Sequence, residues 1–154
     1  MSGTTYNPDG GPGGGAIKIV TSGTVTINGS ITANGSNGVD YIANAAMTSG
    51  GGGSGGSIWI QAGTLAGNAA NITANGGRGG NLGICGSTDI PGGGGAGGLI
   101  ALYYGTSIYS NTPSSAGGAG GSGCANSGAA GGTATPYSSA ITVYPLSGTY
   151  ASAI

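Results

Sequence analysis

The chain has 154 residues, enough for a single domain, and carries only two basic and three acidic side chains, with a net charge of −1. Forty residues are glycine, and the sequence contains neither histidine nor glutamate. This composition excludes a Ser-His-Asp triad and leaves too few basic groups to neutralise nucleic-acid phosphates. We therefore expect neither an enzyme nor a nucleic-acid-binding protein.

Four short apolar segments recur along the chain at nearly even spacing. They read AIKIV, SIWIQ, LIALY and AITVY, and their first isoleucines are separated by 41, 42 and 41 residues. A period of this length indicates stacked repeats. We predict one repeat domain over residues 1–154, with units at approximately 1–50, 51–91, 92–132 and 133–154.

Each segment has apolar residues at alternate positions, which is the pattern of a β-strand with one buried face. In a stack of units these positions form an internal ladder. The predicted ladder residues are Ile17, Ile19, Ile58, Ile60, Ile100, Leu102, Ile141 and Val143. The longest apolar run, 99–104, is far too short to cross a bilayer, so no membrane span is expected.

A Gly-Thr step follows each of these strands and predicts a turn into a second strand. The second strands are expected at 24–27, 64–67 and 106–109. In the first two units a third strand ends in Ala-Asn-Gly, at 33–35 and 74–76. Asn-Gly predicts a turn there, because both residue types tolerate positive φ.

Glycine-rich arms lead into the apolar strands, at 10–15, 50–57, 91–98 and 117–132. Glycine in an ordinary element costs about 0.5–1 kcal/mol relative to alanine, so these glycines belong where only a bare Cα fits: tight turns, positive φ, or backbone packed on backbone. A parallel β-solenoid and a bundle of extended three-fold helices both fit. The favoured fold combines them: an all-β parallel solenoid of about four units with polyglycine-helix-like arms. No α-helix is expected.

The motifs G-G-x-I-x-I, G-T-L and I-T-A-N-G-G-x-G-G lie together in residues 55–80. This pattern resembles the glycine-rich β-solenoid repeats of large microbial extracellular proteins, adhesins and filaments. The arms are also similar to the polyglycine bundles of some antifreeze proteins and phage tail adhesins. The third unit departs from the pattern, with YSNTPSS at 109–115. The resemblance implies an extracellular or cell-surface location.

Two cysteines, Cys85 and Cys124, lie 39 residues apart, close to one repeat. Stacking would place them on neighbouring coils, which predicts a disulfide and an oxidising compartment. The alternative is a pair of free buried thiols.

Three aspartates, Asp9, Asp40 and Asp89, are spaced 31 and 49 residues apart, out of step with the repeat. They do not predict a paired-carboxylate site, and each is expected to cap a turn. A calcium site that combines an aspartate with carbonyl groups remains an alternative. We expect no catalytic residue, cofactor or metal site.

Most tyrosines lie in the last third of the chain, and Trp59, Tyr103 and Tyr144 are predicted surface aromatics. Two interpretations remain open. The rings cover glycine arms or pack between subunits, or they bind glycans.

The last unit stops after its Gly-Thr step, and the first begins without a preceding strand. This pattern predicts head-to-tail stacking, in which one copy completes the coil of the next to form a homopolymeric filament or surface layer. The interface candidates are Thr4, Tyr6, Leu146, Tyr150 and Ile154. The alternatives are a glycan- or receptor-binding adhesin module and an ice-binding protein, although Thr-x-Thr pairs occur only at 24–26 and 133–135.

Overall fold

A computed structural model describes residues 8–41, 48–68, 71–83, 90–124 and 126–142. This part of the chain contains seven strands and no helix. The strands are β1 (Ala16–Val20), β2 (Thr24–Thr26), β3 (Ile31–Thr32), β4 (Ser57–Ala66), β5 (Ile72–Thr73), β6 (Leu99–Ser107) and β7 (Tyr137–Ala140). The all-β prediction is confirmed.

A five-stranded parallel sheet has the order β1-β4-β6-β7, and β2 also pairs with β4. Ile17 pairs with Ile58, and Ile58 pairs with Ile100, so the repeat spacing read from the sequence is the register of the sheet. Because like residues stack on like, the apolar face of each strand continues that of its neighbour.

The register of the last strand differs from the predicted one. Ala101 pairs with Tyr137, a spacing of 36 residues, and the amide of Ile141 donates to the carbonyl of Tyr104 (2.8 Å). Ile141 therefore lies beyond the apolar ladder, and the predicted strand AITVY is wrong in position. The cause is a tight reversal, in which the Gly123 amide donates to the Asn126 carbonyl at 2.9 Å and shortens the connection.

The predicted turns at the second and third Gly-Thr steps are also wrong. Strands β4 and β6 run straight through them, and of the three Gly-Thr steps that the structure describes only the first interrupts a strand, between β1 and β2. The Gly63 amide donates to the Gly23 carbonyl at 2.9 Å. A Cβ at Gly63 would lie 2.0 Å from the Ser22 carbonyl oxygen, so glycine here allows a close approach between neighbouring strands.

The core lies between the large sheet and a second parallel sheet formed by β3 and β5. Ile17 and Ile19 are half-buried, because β1 is an edge strand. The fully buried ladder residues are Ile58, Ile60, Ile100 and Leu102, joined by Leu65 and Ile72.

The glycine-rich segments form two layers of extended arms. Three outgoing arms, 33–41, 74–83 and 115–123, follow the second sheet, and four returning arms, 8–15, 48–56, 90–98 and 128–135, lead into the large sheet. In the second returning arm Gly50, Gly53 and Gly56 donate to the outgoing arm 33–41. Gly52 and Gly55 donate to the next returning arm. The bonding direction therefore repeats every three residues.

The Asn-Gly pairs do not form the predicted turns. Among the described residues only Gly67 has positive φ (126°), and the chain continues extended through Asn34-Gly35. A Cβ on Gly35 would lie 2.1 Å from the Gly53 carbonyl oxygen. Close packing of backbone on backbone, rather than turn geometry, is what requires glycine in the arms.

Candidate functional surfaces

The charged groups of the described residues form one ion pair, on the outer side of the outgoing arms. Arg78 Nη2 lies 2.9 Å from Asp40 Oδ1, and Arg78 Nη1 donates to the Gly79 carbonyl. The same Asp40 oxygen accepts the Asn81 amide at 2.7 Å. This backbone hydrogen bond first, and then the bond from Arg78, hold the pKa of Asp40 below its ordinary value.

The described residues contain no cluster of three potential metal-ligating side chains. Asp9 and Asp40 are exposed on different arms, and Asp89 lies outside the described residues. Asp40 does not cap a turn, because its carboxylate accepts from a neighbouring arm instead.

The described surface includes several open clefts. One, about 540 Å³, is lined mainly by small polar residues at the Gly-Thr steps, including Thr64, Thr106 and Thr142. A second, about 340 Å³, lies beside Lys18 and Trp59. A third, about 100 Å³, includes Tyr109, whose pKa is raised by burial. The described residues that line these clefts include no carboxylate.

An aromatic row lies on the outer face of the large sheet. The ring centroids of Trp59 and Tyr103 are 4.7 Å apart, and those of Tyr103 and Tyr137 are 5.7 Å apart. Trp59 is 38% exposed and Tyr137 is 52% exposed. Two of the three predicted surface aromatics, Trp59 and Tyr103, thus contact each other, and Tyr144 lies outside the described residues. Tyr137 joins the row because of the changed register of β7.

On the outer face of the outgoing arms, side chains bond most of the outward amides of the second and third arms, a feature that the sequence interpretation missed. Asn34 Oδ1 accepts the Asn75 amide at 2.8 Å, and Asn37 Oδ1 accepts the Arg78 amide at 2.8 Å. One layer further, Asn75 Oδ1 accepts the Ala116 amide at 2.8 Å. Each of these Asn or Asp side chains thus bonds an outward amide of the next arm. The signal in the sequence is the recurrence of Asn or Asp at every third position of the first arm, which the second arm repeats except at Arg78.

The outer face of the returning arms lacks such side-chain bonds among the described residues. Its outward position also recurs every third residue, and a Cβ there has space: at Gly93 the nearest atom would lie 3.7 Å away. This returning-arm face consists of Gly10, Gly13, Gly51, Ser54, Gly93, Ala96, Ala129 and Gly132, all exposed. Non-glycine residues in the inner arms, such as Ser54 and Ala96, therefore occur where a side chain points outward.

Side chains close both ends of the arm layers. Ser36 and Val39 occupy positions equivalent to Gly77 and Gly80, where a Cβ would lie 1.9 Å and 2.1 Å from a carbonyl of the preceding outgoing arm. At the other end Thr133 occupies the position of Gly97. No further glycine arm can pack at these positions in the same way, since the side chains fill the space it needs.

The large sheet, by contrast, has two open edges among the described residues, at β1 and at β7. The Thr21 amide donates to Gln61, so the alternation along β1 directs the Lys18 amide to the open edge. On β7 the Ile141 amide donates to the Tyr104 carbonyl, so the same alternation directs the amides of Ser138 and Ala140 to the open edge.

The remaining predicted residues are not tested. Cys85, Thr4, Tyr6, Val143, Leu146, Tyr150 and Ile154 lie outside the described residues. The disulfide and the terminal interface therefore stay predictions.

Comparison with protein families, with curated proteins and with solved structures finds no match. Within the described part of the chain, no helix has the length and apolar character of a membrane span.

Proposed function

We propose that the chain is a structural subunit of an extracellular filament or surface layer, and that its strands and arms form a parallel β-solenoid with polyglycine-helix-like arms. Copies join head-to-tail, each continuing the sheet of the last. The observation that carries the proposal is the pair of open edges on a parallel sheet whose strands are already in register.

Addition of β1 of one copy beside β7 of another repeats the pairing found inside the molecule. Lys18, Trp59, Ala101 and Tyr137 share one row across the sheet. In the joined sheet Lys18 of the next copy follows Tyr137, whose ring is half exposed and available to an ammonium group. With a net charge of −1, copies repel each other little.

The arm layers do not continue across the joint as glycine-on-glycine packing. Their ends carry side chains at the positions where another glycine arm would lie, as at Ser36 and Thr133. The joint is therefore one of strand pairing, with side chains of the two copies meeting beside it.

Electron microscopy of the purified protein, with edge variants, tests the proposal. Lys18→Pro removes an amide that faces the open edge and leaves the β1–β4 bonds in place, since proline is tolerated on the free side of an edge strand. Lys18→Ala is the matched control, which keeps the amide. We expect filaments from the native protein and from Lys18→Ala, and none from Lys18→Pro. Discrete monomers of the native protein at high concentration would refute the proposal.

A glycan- or receptor-binding adhesin module is the second candidate, and the aromatic row favours it. Exposed tryptophan and tyrosine rings offer apolar faces and polar edges to a sugar. A glycan array distinguishes the candidates. If the row binds glycans, Trp59→Ala and Tyr137→Ala abolish binding in proteins that still unfold cooperatively, with midpoints lowered only by the lost ring contacts. A native protein that binds no glycan excludes this candidate.

A further inference from the structure

The returning-arm face carries unpaired backbone groups of both kinds. Its eight exposed amides, from Gly10 to Gly132, have no acceptor among the described residues. The neighbouring carbonyls lack a donor in the same part of the chain. These carbonyls belong to Gly11, Gly14, Gly52, Gly55, Gly94 and Gly97.

The three-residue period explains where these groups point. In an extended three-fold helix the amides of successive residues point in directions about 120° apart, and so do the carbonyls. For the arm 48–56, two amide directions are used, toward an outgoing arm and toward the next returning arm. Two carbonyl directions are used as well, by Gly11 and Gly77 donating to Gly51 and Gly53. The third direction of each kind points away from the molecule.

The outgoing arms differ from the returning arms in how their outward amides are bonded. There, the outward amides of Asn75, Arg78 and Asn81 are each bonded by a side chain of the preceding arm. On the returning-arm face no side chain is larger than serine, so no side chain of the face bonds its amides or keeps another backbone away.

We propose that the returning-arm face binds the same face of a second copy, so that the arms of two copies continue the packing found inside each. An outward amide then bonds an outward carbonyl of the partner. The face fits itself because the same arms present both outward amides, which donate, and outward carbonyls, which accept. The eight residues of the face carry no charge. The outgoing-arm face of a second copy fits less well, since its Asn and Arg side chains project from it. This contact is lateral and distinct from head-to-tail joining.

The size of the face sets the expected strength. Four arms about 4.8 Å apart, each with about six residues rising ~3.1 Å per residue, cover roughly 360 Å². A pair of faces then buries about 700 Å², less than the ~1,200 Å² at which stable interfaces begin. An isolated pair is therefore weak, and an array of copies would gain strength from repeated contacts.

Proline provides the selective test. Ser54→Pro with Ala96→Pro deletes two outward amides, and proline suits an extended chain whose preceding residue is also extended. Ser54→Ala with Ala96→Ser is the control, which keeps every amide. A third variant, Ser54→Arg with Ala96→Arg, keeps the amides and blocks approach by size and charge. All are made in the Lys18→Pro background, so that loss of lateral pairing is not confused with loss of head-to-tail joining.

Sedimentation across concentration measures the dimer, and NMR amide exchange locates it. We expect dimers with the control, and dissociation constants raised at least tenfold in the Pro and Arg variants. The amides of Gly51 and Gly93 exchange slowly only in the dimer, whereas those of Asn75 and Asn81 stay protected in both states. A protein that remains monomeric at millimolar concentration overturns the proposal, as do dimers that form equally in the Pro and Arg variants.

Discussion

Asn34 Oδ1 lies 2.8 Å from the backbone nitrogen of Asn75, and so a side chain on one arm satisfies an amide on the next. The two residues are 41 apart, one repeat. The Asn75 side chain repeats the contact toward Ala116. The outer surface of the outgoing arms is therefore held by a ladder of side-chain-to-backbone bonds.

Asn75→Ala is expected to lower the free energy of unfolding by about 0.5–1.5 kcal/mol. The variant removes the acceptor for the Ala116 amide and for the Ser114 hydroxyl, both at 2.8 Å. The effect stays modest because water can reach Ala116. Denaturant unfolding measures it, and Asn75→Asp, which retains the acceptor, is the control. Equal stability of Asn75→Ala and the native chain would contradict a stabilising ladder.

Two glycines of one arm should respond oppositely to alanine. A Cβ on Gly95 would lie 1.9 Å from the Gly53 carbonyl oxygen, whereas the nearest atom to a Cβ on Gly93 is 3.7 Å away. We expect Gly95→Ala to destabilise by about 1–3 kcal/mol or more through overpacking. Gly93→Ala should be neutral or stabilise by up to about 1 kcal/mol, because it restricts the unfolded chain. Thermal unfolding of the pair measures this, and similar losses in both would disprove the period-three assignment.

The sequence predicts the register of β1, β4 and β6 because isoleucines at equivalent positions stack in parallel pairs. Ile17, Ile58 and Ile100 thus reveal the pairing by their spacing alone. The register of β7 was predicted wrongly. Ile141 lies 41 residues after Ile100, as the repeat requires, but the reversal at Gly123 and Asn126 changes the connection, and Ala101 pairs with Tyr137 at a spacing of 36. The spacing of residues in a sequence gives the length of a connection, and it does not show how many of those residues form a turn.

The arms show the limit of reading residues locally. Asn34-Gly35 has turn propensity, but neighbouring arms impose an extended backbone, which leaves the Asn side chain free to bond the next arm. The outward position on the returning arms could have been predicted from Ser54 and Ala96, the non-glycine residues that occupy it. The backbone groups that lack partners there are set by the packing of seven arms, and a local sequence pattern does not reveal them.

Ser115 has a buried hydroxyl without a hydrogen-bond partner, and the side chain is 2% exposed. Its equivalents Ala33 and Ala74 are buried alanines. Ser115→Ala should therefore stabilise the protein by about 1 kcal/mol, the order of the desolvation cost of an unpaired hydroxyl. Ser114→Ala is the control, because that hydroxyl donates to Asn75 and its loss should not stabilise. Chemical denaturation of both variants decides, and a destabilised Ser115→Ala would contradict the expectation.

Asp40 makes the stability depend on acid pH. Its folded pKa lies below the ordinary value of 3.8, chiefly through the Asn81 amide and then through Arg78. A lowered carboxyl pKa contributes stability that is present above the ordinary value and is lost as the pH falls through the folded pKa. Thermal midpoints of the native chain should thus fall more steeply below about pH 4 than those of Asp40→Asn, which accepts the same amide without titrating. Parallel curves for the two proteins would exclude this contribution.

The predicted disulfide lies at the edge of the described residues. The Leu82 amide donates to the Ser122 carbonyl at 2.8 Å, three residues before Cys85 and two before Cys124. Closing this loop should stabilise the protein by about 3–4 kcal/mol, since it restricts the unfolded chain. Denaturant unfolding with and without reductant measures the difference. The double variant Cys85→Ala/Cys124→Ala should have the same free energy of unfolding as the reduced protein, and the reductant should not change it. Mass spectrometry after alkylation without reductant gives the direct reading, and two alkylated thiols in the folded protein would establish the free-thiol alternative instead.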